Sequence, residues 1–266
     1  MKIAAITMVY KDYWALAQWV DHYGQLIGME NLFIFAHGKD DEVNRIANGA
    51  SVITIPRDDL TAFDRTRGEV MNGLHHGLAQ VYDWVIRTDA DELIVTDPNI
   101  WTDFRTMFSA QQNAIFALGF DMVGDEASFT GHYSKAFATQ GYPLAQHGLK
   151  LPDRKLSPEA YTLPDGVYLA HLKYADATAL AAANAVRAEV ANSSAKGLPG
   201  PAWKEANADA DKFFRTFAAK KTVTWPDAVA EAKSLAKPVI MERASVLKTK
   251  SFRTDTKALL PDWFDC

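Results

Sequence analysis

The sequence predicts an α/β fold: a mainly parallel sheet with helices on both faces, followed by a helical C-terminal extension. Three observations carry that expectation. Short apolar runs rich in β-branched and aromatic residues alternate with segments of helical period through the first part of the chain. The run Trp84-Val85-Ile86 is apolar throughout, as suits a strand covered on both faces. From Asp176 onward the composition shifts sharply to alanine, the strongest helix former. Strands alternating with helices imply right-handed crossovers and parallel pairing. The expected division is therefore a sheet domain over residues 1–175 and a helical extension over 176–266.

Ile3 to Val9 reads as the first strand, and Tyr10-Lys11-Asp12 as a turn in which Asp12 caps the next helix. Leu16, Trp19, Val20, Tyr23 and Ile27 recur at helical spacing, and Gly28 ends that helix. Asn31 to Phe35 is a second strand, stopping at Ala36-His37-Gly38-Lys39-Asp40-Asp41. A short helix through Val43 and Ile46 leads to Ser51 to Ile55, which Pro56 terminates. Phe63, Val70, Leu74, Leu78 and Val81 mark the helix that feeds the strand ending at Asp89. Asp97-Pro98 has the form of a helix start, with Ile100, Phe104, Met107 and Phe108 as its buried face. Ala114 to Leu118 reads as a further strand. Residues 121–165 show little period, in the manner of binding loops. Val167 to Ala170 is a short strand before His171, and helices are expected over about 203–220 and 226–236.

The chain has 266 residues, 48% of them hydrophobic and 23% charged, enough to bury a sizeable core. A net charge of −5 and a pI near 5.8 exclude a general nucleic-acid binder, which needs a basic face. The single cysteine, Cys266, permits neither an internal disulfide framework nor a cysteine zinc site, so the cytosol is the expected compartment. No apolar run approaches the length of a membrane span. Lys248, Lys250 and Arg253 offer at most a peripheral contact with anionic lipid, and a plain surface role is the simpler reading.

The chemistry centres on Asp89-Ala90-Asp91-Glu92, where acids interrupt an apolar run at a strand's carboxyl end. In open α/β sheets that edge binds ligands. Residues i and i+2 of an extended strand lie roughly 7 Å apart. The chain must therefore bend here, or the two aspartates divide the work, with Asp91 on a hard divalent ion and Asp89 on a sugar hydroxyl or ion-bound water. A strand-end turn with solvated acids is the bland alternative.

This order resembles the family 2-like glycosyltransferases of the GT-A fold. The resemblance covers about residues 1–175 and is carried by Thr7 and Tyr10, by His37-Gly38-Lys39-Asp40-Asp41, by Arg67 and Asn72, and most specifically by Trp84 through Glu92. It implies a transferase that moves a sugar from a nucleotide-sugar donor to a glycan or other hydroxyl acceptor, with a Mn or Mg ion held by Asp89, Asp91 and His171. Thr7, Tyr10, His37, Arg67 and Asp89 would then surround the donor. Inversion would need a carboxylate base, for which Asp121, Asp125, Glu126 and Asp153 are all eligible. One departure stands out: Ala36 and His37 occupy the place where many relatives carry an acid for the nucleobase. Two rival functions share the pattern. One is a phosphatase or phosphotransferase with Asp89 as nucleophile and Asp91 as acid; the other is a non-catalytic domain that binds nucleotide sugar or glycan. His75-His76, on a helix, reads as packing or surface rather than as a metal pair.

Overall fold

The computed structural model describes residues 1–141, 143–145, 148–150, 161–193, 201–241 and 246–264. The chain runs β1 (Ile3–Val9), α1 (Tyr13–Ile27), β2 (Leu32–His37), α2 (Asp41–Ile46), β3 (Ser51–Ile55), α3 (Phe63–Leu78) and β4 (Trp84–Arg87), the alternation expected. Next come β5 (Glu92–Thr96), α4 (Phe104–Ser109), β6 (Ala114–Phe116), β7 (Leu118–Val123), β8 (Glu126–Phe129) and β9 (Ala136–Thr139). The short strands β10 (Leu144–Ala145) and β11 (Gly148–Lys150) precede β12 (Val167–His171). The remainder is α5 (Ala177–Ala191), α6 (Pro201–Lys204), α7 (Ala206–Ala218), β13 (Lys221–Val223), α8 (Trp225–Leu235), β14 (Pro238–Met241), β15 (Val246–Thr249) and β16 (Thr256–Leu259).

The first sheet has the order β3-β2-β1-β4-β9-β6. Strands β1 to β4 pair in parallel, with Ala5 opposite both Leu32 and Ile86. Successive strands step outward from β1 to β3, and β4 returns to the other side of β1. The crevice between β1 and β4 at their carboxyl ends is thus a topological switch point, where an open α/β sheet receives a ligand. The second sheet, β13-β16-β8-β7-β12-β5, is mixed, and the third, β10-β11-β15-β14, is antiparallel throughout. Between the first two sheets lies one continuous core that includes Trp19, Tyr23, Trp84, Phe108, Phe120 and Phe129.

Two expectations need correction. The C-terminal extension is helical over α5 to α8 but also contributes β13 to β16, of which β15 and β16 pair with strands of the first 175 residues: Leu247 lies opposite Leu149, and Ala258 opposite Ala127. These strands are three or four residues long, and β13, β15 and β16 mix lysine and threonine with apolar residues, so pairing partners rather than local pattern decide them. The helix expected from Asp97 begins only at Phe104, capped by Asp103. Asp97 closes a turn instead, accepting backbone bonds from Ile100 and Trp101, and Ile100 is 49% exposed.

Candidate active site

The acids sit where the chain crosses from one sheet to the other. β4 ends at Arg87, Asp89 to Asp91 form a turn closed by the Glu92 amide donating to the Asp89 carbonyl at 3.1 Å, and β5 departs in the second sheet. The chain therefore bends here, one of the two alternatives that the spacing leaves open. Helix α1 staples both flanks: the Trp19 indole donates to Thr88 at 2.8 Å, and the Ile94 amide donates to the Tyr23 hydroxyl at 3.0 Å. Glu92 is 1% exposed, and both its carboxylate oxygens are used. One accepts from the Asp89 amide at 3.0 Å, the other from Lys135 at 2.7 Å. Burial would lower the Lys135 ammonium's pKa, but the charges of Glu92 and Asp89 outweigh it and raise the value.

Asp89 and Asp91 turn to different partners. Asp89 pairs closely with Arg67, and that charge, against the opposing effect of burial, holds its carboxyl well below the usual range. Asp91 faces His171, with Oδ2 3.4 Å from Nε2. The row Glu92, His171, Asp121 follows from register, since His171 lies opposite Glu92 in β5 and opposite Asp121 in β7. Asp121 holds the other ring nitrogen, Nδ1, at 2.7 Å, and Tyr133 stacks on the imidazole with centroids 3.7 Å apart. Burial alone would lower the histidine's pKa, but Asp91 and the bond to Asp121 push it up to about 9. A proton here sits between two carboxylates, where a cation is stabilised.

Residues from the carboxyl ends of β1 to β4 line an open cleft, which α5 and α6 wall on the far side with Ala183, Arg187, Val190 and Trp203. At one end the Arg57 guanidinium lies 3.3 Å from the centre of the Tyr10 ring, and Arg57 Nη1 donates to His37 Nδ1 at 3.0 Å. Arginine can only donate, so that nitrogen accepts and the ring is neutral. Burial and the Arg57 charge lower the His37 pKa to about 4. At the other end, Arg187 approaches Asp91 at 3.7 Å. Asp12 also lines the cleft, and burial with the Asp91 charge raises its carboxyl to about 6.

No protein-family model and no curated protein matches the chain. Among solved structures it is similar to a mannose-1-phosphate geranyltransferase from Thermus thermophilus, at 13% identity and a TM-score of 0.33, over 98% of this chain and 74% of that one. A CMP:2-keto-3-deoxy-manno-octonic acid synthetase complexed with CTP is similar over 53% of this chain and 65% of its own, at 12% identity and a TM-score of 0.28. Likenesses this distant carry no argument about what the chain does.

Of the expected donor residues, Tyr10, His37, Arg67 and Asp89 share the cleft with Asp91. Thr7 does not: it is fully buried within β1, two residues short of the strand's carboxyl end, where Met8, Val9 and Tyr10 reach the cleft. His171 meets Asp91 as expected. None of the described candidate bases lines the cleft. Asp121 holds His171, Asp125 is exposed in the β7–β8 turn, and Glu126 pairs with Lys257 at 2.8 Å; Asp153 lies outside the described residues. Asp12 precedes α1 where a cap belongs, yet its side chain makes no capping bond. Arg57, Lys135 and Arg187 escape a sequence reading because single cations on loops and helices follow no period; for Arg57 the only cue was its place after a strand-ending proline. His75 is 1% exposed and bonded to Thr139 at 2.8 Å, a packing histidine. Among the described residues no helix is long and apolar enough to cross a membrane.

Proposed function

We propose that the chain is a glycosyltransferase that takes a sugar from a nucleotide-sugar donor and passes it to a hydroxyl acceptor. The observation that carries this reading is the Asp89-Ala90-Asp91 turn at the β1–β4 switch point, facing a cleft that Lys11, Arg57, Arg67 and Arg187 also line. Carboxylates for an ion and cations for phosphate oxygens, together at that edge, suit a nucleoside diphosphate better than a neutral ligand. Tyr10 and Arg57 offer the nucleobase an aromatic and a guanidinium plane at the β1–β3 side. Asp89, held by Arg67, is placed to accept from a donor hydroxyl.

Asp91 and His171 fit a Mn or Mg ion by donor type. Their facing atoms stand 3.4 Å apart, and Asp121 fixes the imidazole from behind, as the outer carboxylate of a metal-bound histidine does. Among the described residues no three His, Cys, Asp or Glu side chains close a cage, so the protein supplies part of a coordination shell. When bound, such an ion neutralises charge growing on the leaving diphosphate. Asp12 is the base we assign to the acceptor's proton, because it lines the cleft and burial with the Asp91 charge raises its carboxyl to about 6.

The test is release of nucleoside diphosphate from a panel of nucleotide sugars, with and without chelator. Turnover that chelator abolishes supports the whole reading, and turnover unaffected by chelator removes the ion from it. Hydrolysis of simple phosphate esters in place of sugar transfer would favour the phosphatase reading. Tight nucleotide-sugar binding without turnover would make the chain a binding domain.

A further inference from the structure

The C-terminal extension lies outside the residues that carry the sequence resemblance, yet its helix α5 brings a guanidinium to the acids. We propose that Arg187 is a binding residue for the diphosphate of the ligand in this cleft, and that Asn184 is its positioning residue. The proposal rests on the donor-site reading above and names the residue through which the extension joins that site.

Arg187 is only 17% exposed in its side chain, and its Nη2 stands 3.7 Å from Asp91 Oδ2, beyond hydrogen-bond reach. A guanidinium built simply to fasten α5 onto Asp91 would be expected to close that gap with a bidentate pair. Its orientation is instead fixed from the other side. Nη1 donates to Asn184 Oδ1 at 3.0 Å. Asn184 is 3% exposed, a polar residue buried in an alanine-rich helix, and its amide nitrogen donates to the Ala206 carbonyl at 3.3 Å and to Asn207 Oδ1 at 3.0 Å. Because that nitrogen serves two oxygens, the Asn184 oxygen is the atom left to receive Arg187. The α5–α7 contact thus aims one guanidinium edge at the cleft while the other is held. Across the cleft Arg67 is already engaged by Asp89. Arg187 therefore has donors to spare for phosphate oxygens beside Asp91, in the planar fork that matches them.

Calorimetric titration with inorganic diphosphate, then with UDP, CDP, GDP and ADP, tests this on the full chain in buffer containing Mg. Arg187→Ala should weaken diphosphate binding by about tenfold or more, the loss of charge-assisted bonds. Arg187→Lys should retain part of the affinity. Asn184→Ala should weaken binding about threefold, and should add nothing in the Arg187→Ala background, because it acts through that side chain. Arg187→Met keeps the stem's packing and replaces the alanine variant if that one fails to fold. Wild-type affinity in a folded Arg187→Ala or Arg187→Met protein would overturn the proposal and leave the donor site standing. An additive loss in the double variant would overturn the role of Asn184. A wild-type chain that binds neither inorganic diphosphate nor any of the four nucleotides would overturn the donor-site reading, and this proposal with it.

Discussion

At the scale of single residues, Asp89, Asp91 and Glu92 show how three acids of one turn acquire three different partners through geometry. The turn sends Asp89 to Arg67, Asp91 to His171 and Glu92 inward to Lys135. That acids mattered here was legible, because charge breaking an apolar strand has a cost that needs an explanation. Glu92 also holds neighbouring backbone, accepting from the Asp89 amide. Lys135 was not legible as its partner, since it lies 43 residues away. Replacing it isolates a buried carboxylate, so Lys135→Met should destabilise the fold by about 3–5 kcal/mol. Urea unfolding would measure this, and a loss below about 1 kcal/mol would mean that Glu92 simply takes up a proton. Asp91→Asn is expected to lower turnover at least about a hundredfold, while Asp89→Asn should chiefly raise KM for the donor. Equal effects on both parameters in the two variants would remove the division of labour.

At the scale of elements, the first four strands were readable from period and punctuation, and β7 to β11 were not. Strands of two to six residues carry little local signal of their own, and their pairing is decided by the rest of the fold. Gly119 illustrates the cost of that blindness. A Cβ at this position in β7 would stand 2.2 Å from the Tyr133 carbonyl carbon and 2.6 Å from the Ser134 amide nitrogen. Gly119→Ala should therefore destabilise by about 3 kcal/mol and displace the Tyr133 ring from His171. A melting temperature within a degree of the wild type would contradict this contact. On helix α3, burial and the Arg87 charge lower the His75 pKa to about 4. Between that value and the ordinary 6.5 the unfolded chain binds more protons than the native one. Stability supplied by neutral His75 is hence complete above about pH 6.5 and falls as pH drops toward 4, by on the order of 3 kcal/mol. His75→Gln should flatten that acid limb in urea titrations, and an unchanged slope would assign the acid sensitivity elsewhere.

At the scale of the whole molecule, the shift to alanine after Asp176 was legible as composition but says nothing of where the later chain docks. The second sheet takes β13 and β16 onto β8, the third takes β14 and β15 onto β11, and α8 puts Ala228, Val229 and Ala232 into the main core. Trp225 packs edge-on against Phe120 and Tyr168 and meets Phe129 at a tilt, so residues beyond 220 complete an aromatic cluster begun before 130. Removing residues 176–266 would uncover the β8 edge and those rings together. The fragment 1–175 is therefore expected to lack a cooperative unfolding transition and to expose apolar surface to dye, although its first sheet is intact in sequence. Near-ultraviolet dichroism and urea titration of that fragment decide the matter. A cooperative transition with native aromatic signal would show that the first 175 residues fold alone and that the extension is an appendage to them. A fragment that folds only when 176–266 is added back in trans would show that both parts share one core.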